Sequence, residues 1–219
     1  MAIMIPEKPR DFDPASQEGL IFDALALLPE DYYVFHSFRI TNTRDGIFRE
    51  SETDFVIFNR TKGVICLEAK AGQVRYENGC WLYGNGIPMH NGGPFNQASA
   101  NKYKLMRYIS DSKMAFVLDK CKFFHAVWFP SVSNDRLKNM TLPSEGDKAL
   151  VLTKEALSNP KEFVDKIYTL QLPSQIETKS QSLEPSEGKA DGSFPDSSNL
   201  SEAEFRPGQD TNPQTEDFA

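Results

Sequence analysis

The stretch ETDFVIFNRTKGVICLEAKAG, residues 52 to 72, constrains the fold more than any other part of the chain. Two apolar, β-branched runs flank a polar segment at 60–63, the pattern of a buried β-hairpin. Such a hairpin has no structural use for Asp54 near the start of its first strand, or for Glu68 and Lys70 at the end of its second. Burying a charge is costly unless it finds a partner. Side chains alternate between the two faces of a strand. Val64, Cys66, Glu68 and Lys70 therefore share one face, and Ile65, Leu67 and Ala69 the other. On the preceding strand Glu52, Asp54, Val56 and Phe58 share a face. Antiparallel pairing about the turn brings Asp54 to Glu68 or Lys70 if the facing parities match, a register that the sequence does not fix.

Two carboxylates and a lysine at one spot have a chemical use. Asp54 and Glu68 supply hard oxygen ligands suited to Mg²⁺, which takes one or two carboxylates and keeps several waters. The backbone carbonyl of Ala69, between them, is a further candidate ligand. Lys70 is placed to hold an attacking water or to stabilise charge on a phosphate. Glu18, in the first expected helix, lies three and seven residues before Ile21 and Leu25, and so projects from the apolar stripe, where a carboxylate needs a partner or a metal. Gln97, just after GGPFN, carries an amide able to hold a phosphate or a ligand water.

The rest of the chain supplies layers around this hairpin. DPASQEGLIFDALALLP predicts a helix capped by Asp13, with Pro14 at its first position, Ile21, Leu25 and Leu28 as its stripe, and Pro29 as its end. YYVFHSFRI reads as a strand, and Asn78-Gly79 marks a second hairpin within GQVRYENGCWLYG. GNGIPMHNGGP is a loop, and Pro94 opens a helix to about Ser112 with Leu105, Met106 and Ile109 inward. KFFHAVWFP and ALVLT read as buried strands. Asn159-Pro160 caps a last helix carrying Phe163, Ile167 and Leu170. This order of elements predicts an α/β or α+β layered domain.

The formal charge of −7 is misleading as an average. From Pro173 to Ala219 the chain holds 10 acidic and 3 basic residues, while residues 1–172 are balanced at 21 of each. The body is therefore open to a nucleic-acid partner despite the acidic total. The 173–219 segment, rich in Ser, Glu, Pro and Gly, is expected to be a disordered acidic linker or tail. Cys66, Cys80 and Cys121 form no CxxC pair and point to reduced thiols rather than to zinc or a disulfide framework. MAIMIPEKPRDF is interrupted too early for a signal peptide, and no run approaches the roughly 20 apolar residues of a membrane span. A soluble, cytoplasmic protein is the expectation.

Taken in order, the helix bearing Glu18, ETDFVIF, GVICLEAKAGQV, the Trp81 strand and GPFNQ ending at Gln97 resemble the NERD (nuclease-related) domain, a branch of the PD-(D/E)XK nuclease superfamily. The resemblance covers residues 14 to 108 well, and the remainder to about Leu172 in element order. It implies a restriction-endonuclease-like fold, a mixed central β-sheet flanked by helices, over residues 14–172, after an irregular segment at 1–13. It also implies catalytic roles for Glu18, Asp54, Glu68, Lys70 and Gln97, and Mg²⁺ or Mn²⁺ held by Asp54, Glu68 and Ala69. The implied reaction is hydrolysis of DNA, and family members often precede helicase or kinase domains. Two positions depart from the family pattern: Gly93 stands where Asn is common before the proline, and Asn101 where an aromatic or Lys is expected. Lys102, Lys104, Arg107, Lys113, Lys120 and Lys122 are candidate phosphate contacts, and no base-reading motif accompanies them. Two other readings fit the residues: a catalytically inactive nucleic-acid-binding or assembly module of the same fold, and a structural sheet whose charges form an ion pair.

Overall fold

The computed structural model describes residues 1–8, 12–44 and 47–171; the expected acidic tail lies outside the described residues. Among the described residues eight strands and four α-helices follow in chain order: β1 (Ile3–Ile5), α1 (Glu18–Ala26), β2 (Tyr32–Arg44), β3 (Ile47–Asn59), β4 (Gly63–Ala69), β5 (Val74–Glu77), β6 (Cys80–Tyr83), α2 (Pro94–Ser110), β7 (Phe123–Trp128), α3 (Asn134–Asn139), β8 (Val151–Leu152) and α4 (Pro160–Tyr168). Six strands form one sheet in the order β1-β2-β3-β4-β7-β8, and β5 pairs β6 in a separate hairpin. The large sheet is mixed: β2–β3 and β3–β4 are antiparallel, whereas β1–β2, β4–β7 and β7–β8 are parallel.

Each face of the sheet is covered, which is why β4 is buried from end to end. On one face Ile21, Leu25 and Leu28 from the α1 segment and Val164, Ile167 and Tyr168 from α4 pack with Phe55, Ile57, Ile65, Leu67 and Phe124. On the other, Leu105 of α2 meets Val56, Cys66 and Phe123. The β5–β6 hairpin adds Val74 and Trp81 to Phe95, Ala98, Val127 and Phe129. Fully burying a side chain such as Ile65 or Leu67 stabilises the fold by about 1.5–3 kcal/mol. Gly63, at the head of β4, is required by close approach: a Cβ there falls 2.3 Å from the Lys122 carbonyl oxygen. That oxygen accepts the Val64 N–H at 2.9 Å, so the β3–β4 turn is pressed against the chain entering β7.

Several expectations need correction. α1 begins at Glu18, not at Pro14; the Asp13 carboxylate instead accepts the Ala15 N–H at 2.8 Å in a separate turn. Residues 1–13 are not wholly irregular, because Ile3–Ile5 adds a parallel edge strand beside Tyr33–Phe35. Asn159 makes no side-chain cap on α4. The inner side of α4 is Val164, Ile167 and Tyr168, with Phe163 and Leu170 at its margin. Tyr168 is drawn in by its hydroxyl, which donates to the Ile57 and Gly63 carbonyls at 3.1 and 3.3 Å.

Candidate functional site

The β3–β4 register resolves the parity left open by the sequence. Pairs run from Asn59↔Gly63 to Phe55↔Leu67, so the next step along both strands sets Asp54 against Glu68. Val56 and Cys66 belong to the cluster beneath α2, while Phe55 and Leu67 belong to the opposite one. By alternation Asp54, Glu68 and Lys70 all lie on the α2 side. The backbone ladder stops there. Asp54 Oδ2 accepts the Ala69 N–H at 2.7 Å, while the Lys70 N–H turns the other way to the Trp128 carbonyl at 3.0 Å. Because a strand residue points its N–H and C=O to the same edge, the Ala69 carbonyl is directed to the Asp54 side. Lys70 Nζ donates to Glu68 Oε1 at 2.5 Å.

Burial opposes the charge of each of these groups. Burial, then the charge of Glu68, pushes the Asp54 carboxyl up to about 7, against the pull of the Ala69 N–H and Lys70. Burial also holds Glu68 above the ordinary carboxylate range, although Lys70 opposes it. For Lys70, burial works against the charge, but Glu68, its hydrogen bond and Asp54 outweigh it and raise the ammonium's pKa. One lysine does not neutralise two carboxylates that repel each other, so the cluster favours a further proton or cation.

Glu18 reaches this neighbourhood from α1, and its charge raises both Asp54 and Glu68. It accepts from His36 Nε2 at 2.9 Å, and the imidazole is lodged among Phe12, Phe22 and Phe55, with ring centroids 5.1, 5.9 and 4.9 Å away. Two non-glycine residues flank this pair in the left-handed region: Gln17 at φ 58 and Ser37 at φ 50. Ser37 faces Asp54 in the β2–β3 register, between the pairs His36↔Phe55 and Phe38↔Thr53. Gln17 staples the start of α1 to two loops, its Oε1 accepting from Ser131 Oγ at 2.7 Å and from the Gly72 N–H at 3.4 Å. Left-handed backbone thus occurs beside Glu18 and opposite Asp54.

Gln97 sits in the first turn of α2, but its Nε2 donates to the His90 carbonyl at 2.8 Å. Among the described residues no hydrogen bond joins it to Asp54, Glu68 or Lys70. The two departures from the family pattern have physical causes. Gly93 has φ 88 and lies under Trp81, whose Cδ1 is 2.1 Å from where a Cβ would fall; an Asn has no room. Asn101 is 7% exposed, and its Nδ2 donates to the Glu52 carbonyl at 2.9 Å, tying α2 to β3 two residues from Asp54. Lys102, expected among the surface cations, is buried, with Nζ 4.2 Å from the Tyr103 ring centroid. His36 and Asn101 escaped the sequence reading because their roles depend on strand register and helix placement. The only signal for His36 is a lone imidazole in an aromatic strand.

Among the described residues no group of three or more His, Cys, Asp or Glu could hold a metal ion. The donor set is nevertheless that of a hard divalent cation: two carboxylates and a carbonyl edge, with the carboxylates under mutual repulsion that a cation would relieve. Mg²⁺ and Mn²⁺ need no more protein ligands than these, so the residues fit the ion that the fold family usually employs.

The family model for NERD, the nuclease-related domain, matches residues 14–130, more than half of the chain and all five candidate residues. No curated protein and no solved structure matches the chain. With that match laid over a mixed sheet that gathers Asp54, Glu68 and Lys70, the chain belongs to the NERD family, within the PD-(D/E)XK-like nuclease group.

Proposed function

We propose that the domain is a divalent-metal-dependent nuclease that hydrolyses DNA phosphodiester bonds. The carrying observation is the convergence of Asp54 and Glu68 on one face, with the Ala69 N–H on Asp54 and Lys70 Nζ on Glu68. Asp54, Glu68 and the Ala69 carbonyl would hold the ion. When bound, Mg²⁺ or Mn²⁺ supplies a bound water of lowered pKa and polarises a phosphoryl oxygen. Lys70 keeps a full positive charge beside the carboxylates and meets the scissile phosphate or orients the attacking water. Glu18, steadied by His36, adds a carboxylate able to hold a water or take a proton at the margin of the site. Gln97 acts less directly, by fixing the His90 carbonyl at the entrance to α2. Attachment to a helicase belongs to the same proposal, and so does service in DNA processing.

The test is cleavage. Purified protein with Mg²⁺ or Mn²⁺ should nick or degrade DNA, and Lys70→Ala should lower the rate about 10²- to 10³-fold, the usual loss when one preorganised charge at a transition state is removed. Equal cleavage by Lys70→Ala ends the proposed mechanism. Titration calorimetry with Mn²⁺ separates the inactive-module alternative: the nuclease takes up the ion and Asp54→Asn does not, whereas a pure binding module needs none.

A further inference from the structure

Beyond the carboxylates, α2 turns outward a face on which cations and rings alternate. Tyr103, Tyr108 and Phe116 are 60%, 52% and 55% exposed, unusual for three aromatic side chains within fourteen residues of one another. Among the described residues Lys104, Arg107, Lys113 and Lys120 pair with no carboxylate. The stretch from Tyr103 to Lys122 has five cations against Asp111 and Asp119, in a chain whose total charge is negative.

This face is continuous with the site at one end and with a cavity at the other. At the first end Asn101 of α2, three residues before Lys104, donates to the Glu52 carbonyl, two residues from Asp54. Farther along, Met106 and Ile109 of α2 join Phe58, Leu118 and Cys121 in one apolar cluster. Phe58 and Cys121 also line a cavity of about 800 Å³, with Arg60, Phe116, Lys120 and Lys122 around it. It opens at the β3–β4 turn, the end of β4 remote from Asp54. The 17 residues of α2 span about 25 Å, so the cations and rings cover an extended path rather than a point.

We infer that the outer face of α2 and the cavity beyond it form a track for single-stranded nucleic acid leading to Asp54 and Glu68. The inference rests on the nuclease reading above and adds the form of the substrate. Unpaired bases offer free π-faces, and exposed aromatic side chains stack on them without reading sequence. In a duplex those faces are occupied by neighbouring base pairs, and the Tyr103, Tyr108 and Phe116 rings gain nothing. The cations meet the phosphates of either form.

Binding of the full chain to a labelled oligonucleotide of about 15 nucleotides, within the usual range of single-strand sites, decides the matter. Fluorescence anisotropy in EDTA, without turnover, is compared for the single strand and the same sequence as duplex. The track predicts tighter binding of the single strand, and about a fivefold or greater loss for Tyr108→Ala or Phe116→Ala on that form alone. Tyr108→Phe, which keeps the ring, should bind as the unaltered chain does. Log affinity should fall with log salt at a slope of about −3 for four contacts, and Lys104→Gln should reduce it by about 0.7. Equal binding of both forms with no aromatic effect overturns the track and leaves the nuclease reading standing. Binding of neither form overturns the track, and cleavage with Mg²⁺ or Mn²⁺ then decides the nuclease reading separately.

Discussion

Two lysine–carboxylate pairs stand at opposite ends of β4, and they are built for opposite ends. At the turn end, Lys62 Nζ lies 2.6 Å from Asp165 Oδ1, Lys161 donates to the other oxygen at 2.6 Å, and the Tyr32 hydroxyl donates to the same carboxylate. Burial alone would raise Asp165, but hydrogen bonds from Lys161, Lys62 and Tyr32 hold it down at about 2. At the other end, one lysine serves Glu68 while Asp54 beside it receives one backbone N–H, and both carboxylates are raised. The same residue types yield a satisfied fastening in one place and an unsatisfied cluster in the other. The difference lies in donor count: three donors on one carboxylate, against two on a pair. Strongly perturbed carboxylates gather at functional sites, and this contrast supports a functional role for Asp54 and Glu68 over a structural ion pair.

The contrast can be broken by changing one carboxylate at each end. Asp54→Asn should stabilise the protein. The folded carboxyl binds its proton up to about pH 7, while the unfolded one releases it near pH 3.9, so native stability falls as pH rises between those values. Asn keeps an acceptor for the Ala69 N–H and removes the charge. The gain should be about 2 kcal/mol at pH 8, under a ceiling of about 4 kcal/mol for three pH units, and should vanish near pH 4. Urea denaturation at pH 4.5 and pH 8 measures it; a variant that loses stability at pH 8 would make the cluster an ordinary ion pair.

Asp165→Asn should do the reverse. The depressed carboxyl contributes stability above pH 4 that is lost as pH falls through about 2. Because this group is partly open to water, the loss should be about 0.5–1 kcal/mol at neutral pH, read by the same denaturation series. A stabilised Asp165→Asn would erase the distinction between the two ends.

The smallest effect should come from Ser37→Gly. A left-handed serine costs about 1 kcal/mol or more, and glycine avoids that cost while giving back roughly 0.5–1 kcal/mol in unfolded-state entropy. The net gain should be about 0.5 kcal/mol, seen as a small rise in the thermal midpoint. A drop would mean that the serine hydroxyl, 3.4 Å from His36 Nε2, matters more than the strain.

Those parts of the fold with local causes were legible in the residues. Asn78-Gly79 does turn the β5–β6 hairpin, with both residues at positive φ, and Pro94 does open α2. Alternation placed Glu68 and Lys70 on one face, and the register then delivered Asp54. Features set by distant contacts were not legible. The three residues of β1 carry too little pattern to mark a strand. Asp13 and Pro14 form a good cap signal, yet Gln17 starts the helix because Ser131 and Gly72 hold its side chain. From its own helix Glu18 reads as a carboxylate that needs a partner or a metal, and only the β2 placement of His36 revealed a protein partner. Gln97 matched by position, while its amide is directed by the Gly92–Gly93 loop geometry to His90.

The side chain of Asp54 occupies the place where β3 would otherwise offer its backbone to Ala69. From that point the β3–β4 pairing stops, and the candidate ligands sit in the opening where it ends. In the proposed nuclease, the room for a substrate phosphate is made by withheld strand pairing and not carved between domains. A descendant that traded Asp54 for valine would lose the proposed chemistry and gain a longer hairpin. Under that proposal, loss of activity brings a gain in stability, and the opening persists only under selection on the reaction.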